Sequence, residues 1–502
     1  MSNYLNRETS LYLTEYFNTL INWYPWSEEA LQKAKTEKKP IFLSIGYSGS
    51  EKCSVMREES FITLKVAQLL NENFISIKVD KDERTDLDKY YKQVYKLMNG
   101  QNCSSPVSVF LTEDLEPFYS ASYIGATPQG NVLDFETLLQ TVHTKYRDDK
   151  ETMTNKGKEV LEYINPNNKT IEATRLHIDI TKTITSHALN LYDKHHGGFG
   201  NAPKFLHIST LDLLLDCYEI TQNIELLNMV SSTLEIMAKG EIYDHEDGGF
   251  FRYASTQDWG LPRKEKLSYD NANIASLYLR VYQITNNEFY KKIAFETLDF
   301  LIDKMSRKSL FYTNVIKHPN NSYFVDTKTT TSFSAMVIDA LFIASVYDKK
   351  YKTLAINALD TLLERNYKNQ TLKHHHDINA FLEDYAYLGV ALLTAYESTQ
   401  NSKYLILAEG ILNQAIEKFY ERGRWKFAKS DTPVYDDIYD LLYPSSMATI
   451  LLLAQRISFV IDNDYTQIIF KSLEMNSYAL MRQPLSSPRM SKVLLKHLKK
   501  MI

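Results

Sequence analysis

The sequence predicts an α/β domain followed by an all-α domain. Three observations carry this. Residues 1–150 alternate short apolar runs with helical patterns, and from about Thr174 to the end the pattern is helical almost throughout, with a weak internal repeat. Between them INPNNKT (Ile164–Thr170) is polar, with one Pro and three Asn, and reads as a linker over 164–170.

In the first part, IFLSIG (Ile41–Gly46), FISIKVD (Phe74–Asp80), VSVFLT (Val107–Thr112) and PFYSASY (Pro117–Tyr123) read as strands. VMREESFITLKVAQLLNEN, RTDLDKYYKQVYKLM and Phe135–Tyr146 carry apolar residues at helical spacing. Strand–helix–strand order implies a βαβ unit and a mixed sheet. In the second part, similar stretches begin at Cys217, Val281, Val346 and Ala395. Each ends one helix, turns through Thr, Asn, Gln or Lys, and opens an amphipathic helix. Helical hairpins of this kind bury their apolar stripes by stacking, as an open solenoid or as a closed (α/α) barrel. Periodicity alone does not choose between these. The 12% aromatic content favours a barrel with a lined pocket.

Composition narrows the function. Of 502 residues 44% are apolar and 24% charged, and the net charge is −5, so there is no basic footprint for nucleic acid. Three Cys are too few for a disulfide framework and fit a reducing compartment. The first ten residues hold no apolar leader, and no apolar run reaches 18 residues. A cytoplasmic protein with neither a membrane nor a nucleic-acid partner is expected. No phosphate-binding Gly-rich loop and no GxSxG occurs, so no cofactor is expected.

The turn after Ile41–Gly46 is the first chemical candidate. Thioredoxin folds keep Cys-x-x-Cys at this place, where a helix N-terminus activates the first thiol. Here the residues are Ser50, Glu51, Lys52 and Cys53, and Ser50 cannot form a disulfide. Ser50 reads as a helix N-cap and Cys53 as a small core residue; the functional alternative is a monothiol Cys53. Pro106 reads as the cis-Pro facing this turn, which also brings in a Cys53–Cys103 pair.

NWYPWSEEALQKAKTEKKPIFLSIGYS, MREESF and LLNENFISIKVDKDER resemble the spermatogenesis-associated protein 20 (YyaL-like) family. The resemblance implies a thioredoxin-like domain over 1–163 and an (α/α)6 six-hairpin, glycosidase-like barrel over 171–502. This chain is a divergent member. The family's Cys-His-Trp-Cys-His turn is Ser50 to Ser54 here. Its upstream His, His and Asp are Tyr16, Asn18 and Asn22, and its Gly-Gly-Trp is Cys103, Ser104 and Ser105.

Four further strings match family motifs: GGFGNAPKF (Gly197–Phe205), GEIYDHEDGGFFRY (Gly240–Tyr253), DWGLPRKEKLSYDNA (Asp258–Ala272) and FLEDYAY (Phe381–Tyr387). Each falls in a loop or at a helix start. Together they would present Lys204, Asp244, Arg252, Tyr253, Trp259, Lys266, Tyr269, Glu383 and Tyr385 as ligand-binding groups. Glu265, Asp270 and Asp384 would be the acid/base candidates. Carboxylates and cations suit hydroxyl groups, and Trp259 would stack on a sugar face. The structural alternative is capping, since Asp270 and Asp384 lie near helix starts. Family motifs carry His where this chain has Phe251 and Arg263. His374-His375-His376 reads as an exposed polar loop, and no metal site is expected. The tail from Pro488 reads as a helix end collecting cations.

Three functions remain. The first is binding or modification of a carbohydrate-like small molecule, by a glycosidase- or epimerase-like enzyme if catalysis is retained. The second is a non-catalytic interaction protein derived from a redox ancestor, and the third a monothiol redox protein using Cys53.

Overall fold

The computed structural model describes residues 3–128, 130, 133–165, 173–429 and 434–501. The chain divides into two compact units, Met1–Thr170 and Ile171–Ile502. Residues 166–170 of the expected linker lie outside the described residues.

The first unit holds a five-stranded sheet of order β1-β3-β2-β4-β5. Strands β1 (Trp23–Pro25), β2 (Ile41–Gly46) and β3 (Ile75–Asp80) run parallel, and β4 (Val107–Leu111) and β5 (Pro117–Ala121) antiparallel. The helices are α1 (Leu11–Thr14), α2 (Glu28–Glu37), α3 (Glu51–Glu59), α4 (Leu64–Asn73), α5 (Thr85–Asn99), α6 (Phe135–Asp148) and α7 (Lys150–Ile164). β2 and β4 are buried at every position, which is why they read as apolar runs.

The helical pattern read through Val55–Asn73 is two helices. Thr63 caps α4, its side chain accepting from Val66 N–H, and Ser60 donates to the Ile124 carbonyl. Between them Phe61 turns into the core, with its ring 5.2 Å from Trp23 and 5.5 Å from Phe135. β1 escaped the sequence reading because it is a three-residue edge strand ending in Pro25.

The second unit is built of α8 (Ile180–Leu191), α9 (Ile208–Thr221), α10 (Ile224–Lys239), α11 (Ser268–Thr285), α12 (Glu288–Lys304), α13 (Thr331–Ala344), α14 (Lys349–Asn366), α15 (Leu382–Thr399), α16 (Ser402–Phe419), α17 (Ser446–Val460), α18 (Thr466–Met475), α19 (Ser477–Arg482) and α20 (Pro488–Met501). Helices α9, α11, α13, α15, α17 and α20 pack side by side as an inner ring, and α20 closes it by packing on both α17 and α9. That closure makes the unit a barrel rather than a solenoid. The tail from Pro488 is thus an inner stave, and Lys492 of α20 reaches Asp212 of α9 at 2.6 Å.

The internal repeat is the inner-to-outer turn. Gln222, Asn286 and Gln400 end α9, α11 and α15 at φ 57°, 54° and 58°. The following Asn223, Asn287 and Asn401 cap the outer helices. Thr221, Thr285 and Thr399 each accept the N–H of that Asn.

Candidate functional site

The inner helices all begin at one end of the ring, and hydrogen bonds tie the starts together. Asp384, at the start of α15, accepts from its own Phe381 N–H (2.8 Å) and from Ser332 N–H at the start of α13 (3.0 Å). Asp440 accepts from Ser445 N–H before α17 (2.8 Å) and from Arg489 N–H at the start of α20 (2.9 Å). Tyr269 of α11, Phe333 of α13 and Tyr443 form an aromatic cluster, with ring centroids 4.8–5.5 Å apart.

Asp270 lies in this end, one residue after Tyr269. It sits in the first turn of α11 but caps nothing: its carboxyl has no hydrogen bond among the described residues. Burial raises it to about 7, against Arg252, which lowers it, and together with Glu265, which raises it further. Glu265 is placed by a small antiparallel sheet, its strand Glu265–Leu267 pairing with Asn314–Lys317. One Glu265 oxygen accepts from Arg252 at 3.0 Å, and the other is buried without a partner. The structure therefore brings Glu265, Asp270 and Arg252 together, with Tyr269 adjacent.

Glu383 and Asp384 are fully buried. Tyr443 donates to Glu383 at 2.5 Å, and His374 Nδ1 lies 2.9 and 3.0 Å from the two Asp384 oxygens. His374, read from the sequence as part of an exposed polar loop, is placed inside the fold. The expected exposed loop is instead the end of a strand, Thr371–His375, with His374 and His375 buried on its opposite faces. Among the described residues two groups offer ligand atoms within 4.8 Å of one another and could hold a divalent ion: His374, Glu383 and Asp384, which are buried, and Asp244, Glu246 and Asp247. In this geometry the Asp384 oxygens are occupied by His374 and two main-chain N–H groups. Asp384 thus has the cap role that Asp270 lacks.

Several expected ligand-binding groups have partners inside the fold. Lys204 is fully buried, donating to Asp193 (2.7 Å) and the Gln257 carbonyl (2.9 Å). Lys266 is likewise fully buried, donating to Asp244 (2.6 Å) and the Gly248 carbonyl (2.7 Å). The two pairs repeat one device. Asp193 and Asp244 each open a loop that returns through two glycines at positive φ, Gly197–Gly198 and Gly248–Gly249. Trp259, expected to stack on a ligand, is wholly enclosed against Gly198 and donates its indole N–H to the His196 carbonyl. Burial removes the ring face that a sugar would need. Tyr253 stacks near Phe205 (5.0 Å), and Tyr385 accepts from Lys418 at 2.5 Å.

In the first unit, Ser50 caps α3 by accepting from Cys53 N–H. Cys53 is 2% exposed, and burial pushes its thiol up, against the pull of Ser50 and Lys78. Cys53, Cys103 and Cys217 are free, and the Ser105–Pro106 peptide is cis. Behind Cys53 lies a feature the motif search passed over. Lys78 of β3 is 1% exposed and donates to Ser44 of β2 at 3.0 Å. Its ammonium lies 3.8 Å from the Tyr16 ring centre, 4.8 Å from Phe61, 5.0 Å from Trp23 and 5.1 Å from Tyr12. Burial lowers it to about 7, with Cys53 and Glu15 raising it and Arg57 lowering it. FISIKVD signals the strand, but nothing in it announces that Lys78 points inward.

Among the described residues no helix is long and apolar enough to cross a membrane.

Comparison with known proteins agrees with this architecture. Residues 2–165 match the family described as "Protein of unknown function, DUF255". The chain is 37% identical over 291 residues to uncharacterized protein B0495.5 of Caenorhabditis elegans, covering 57% of this chain. It is 33% identical over 316 residues to spermatogenesis-associated protein 20 of Rattus norvegicus, covering 61%. Each alignment spans 40% of the relative's length. Among solved structures it is similar to cellobiose 2-epimerase from Bacillus thermoamylovorans (TM-score 0.51, 12% identity, 64% of this chain, 97% of that one). It is also similar to a sugar epimerase from a ruminal bacterium (TM-score 0.53, 11% identity, 64% and 96%). At such identity these two show the fold of the second unit alone. Residues 2–165 thus match the DUF255 family and have a thioredoxin-like fold, a six-hairpin (α/α)6 barrel follows them, and the chain is similar to spermatogenesis-associated protein 20 over part of that protein's length.

Proposed function

We propose that the barrel domain binds a carbohydrate-like small molecule at the N-terminal end of its inner ring, where Asp270 exchanges a proton with it. The observation that carries this is the Asp270 carboxyl, half-buried, without a hydrogen-bond partner among the described residues, and raised to about 7. A carboxyl that can be either acid or base near neutrality is what proton transfer requires. The structural neighbours, by their names, act on sugars, which supports the ligand class by fold analogy. The interaction-protein reading leaves Asp270 without a role, and the monothiol reading has only an enclosed thiol to work with.

The test is a thermal-shift screen of the full chain against mono- and disaccharides, with converted products followed by NMR. A sugar at about 100 times its dissociation constant should add about 2.7 kcal/mol, a shift of a few degrees. Asp270→Asn is expected to keep the shift and to lower any turnover by about 10²–10⁴-fold. No shift with any sugar would put the interaction-protein reading in its place.

A further inference from the structure

Charged side chains of the inner helices pair across the barrel, and among the described residues one of the arginines there is left without a partner. Arg280 of α11 donates to Asp212, Asp216 and Glu219. Lys492 of α20 lies on Asp212 (2.6 Å) and Asp216 (3.2 Å). Arg456 of α17 donates to Glu397 (2.7 Å) and Thr394 (3.1 Å) of α15. Arg489, the second residue of α20, differs. Among the described residues its guanidinium makes no hydrogen bond and no ion pair, and its Nε is buried without an acceptor.

The carboxyls in electrostatic reach of Arg489 are Asp212, Asp339 and Asp440. Asp212 is bound to Arg280 and Lys492. Both Asp440 oxygens accept main-chain N–H groups, one of them Arg489's own, and burial raises this carboxyl to about 6. Asp339 is half-buried, its enclosed Oδ1 lacks a partner, and desolvation raises this carboxyl too. None of the three turns a carboxylate edge onto the guanidinium. The Arg489 side chain is half-buried, so its fork keeps a solvent-facing part. It starts from the ring end that holds Asp270, as the tie through Asp440 to the α17 start shows.

We infer that Arg489 anchors an anionic oxygen group, a phosphate or a carboxylate, on the ligand of the barrel domain. A planar guanidinium presents paired N–H donors that match two oxygens of such a group, which an ammonium cannot do. The ligand class narrows from carbohydrate-like to acidic or phosphorylated sugar. This deepens the proposed function and rests on it.

The experiment is calorimetric titration of the full chain with glucose, glucose 6-phosphate, glucuronate and inorganic phosphate. At least one acidic sugar is expected to bind about tenfold or more tighter than glucose. Glucose 6-phosphate against glucuronate separates the phosphate from the carboxylate source. Arg489→Gln should erase the margin, and Arg489→Lys, which keeps the charge but loses the fork, should retain only part of it. Equal binding of glucose and both acidic sugars by the wild type overturns the inference and leaves the carbohydrate reading standing, as does a margin that survives Arg489→Gln. Should Arg489→Gln not fold, an undiminished margin in Arg489→Lys overturns it equally. Inorganic phosphate binding that vanishes with Arg489, without binding of any sugar, upholds the anion site and ends the carbohydrate reading. Binding of neither sugar nor phosphate ends both.

Discussion

Asp244→Ala is expected to destabilise the barrel domain by about 3–5 kcal/mol, because it strands a buried charge. Lys266 is fully buried, with Asp244 at 2.6 Å and the Gly248 carbonyl as its hydrogen-bond partners. Around its ammonium lie the rings of Phe300 at 3.9 Å, Phe251 at 4.9 Å and Tyr323 at 5.9 Å. Lys317 would keep Glu246 and Asp247. The pair also has a pH signature. Burial raises the Asp244 carboxyl, but Lys266 and Lys317 outweigh it and bring it to about 2, below the ordinary 3.8. Its contribution is therefore present above about pH 4 and lost as pH falls towards 2. Chemical denaturation of wild type and variant at pH 7 reads the effect. Glu246→Ala is the control: that side chain is 62% exposed and should change stability by less than about 1 kcal/mol.

Lys78→Met should do the opposite in the first unit, raising stability by about 2 kcal/mol at pH 6. The step from 10.5 to about 7 corresponds to about 5 kcal/mol of penalty on the ammonium. The ring faces around it and the Ser44 hydroxyl return part of this, about 1–2 kcal/mol for a desolvated cation over aromatic rings. Methionine keeps an unbranched stem and removes the charge. Between pH 7 and 10.5 the unfolded chain holds a proton that the folded chain does not, so wild-type stability rises with pH across that window. The advantage of the variant should therefore shrink from pH 7 towards 10. Trp23, 5.0 Å from the ammonium, reports unfolding of this unit by fluorescence. A variant less stable than wild type at pH 6 would mean that the aromatic cage outweighs desolvation.

Particular residues show where sequence was enough. The strands β2 to β5 were legible because their apolar runs and spacing are local properties, and the Thr–Gln/Asn–Asn turns were legible as a repeat for the same reason. Asp270 was legible as a candidate through its motif, but whether it capped α11 could not be read, since Asp384 in an equivalent first turn does cap. The difference is which N–H groups face each carboxyl, and those come from other helices. The burial of His374 and Lys78 was not legible because it depends on what packs above them. Arg489 lay in a segment whose charge pattern suggests a helix end, and only the closing of the ring places it among the interior charges.

The most direct measurement is the unfolding free energy of wild type and Asp270→Asn from pH 4 to 9. A carboxyl raised to about 7 when folded, against 3.8 ordinarily, binds its proton more tightly in the folded chain. The contribution of Asp270 to the stability of the barrel domain should then be greatest near pH 4, fall as pH rises to about 7, and level off. Asp270→Asn should remove that fall and be more stable than wild type at pH 8 by about 2–4 kcal/mol, the two converging near pH 4. A variant less stable than wild type at every pH would show Asp270 to be a helix cap and would contradict its role as the proton-exchanging group of the barrel site.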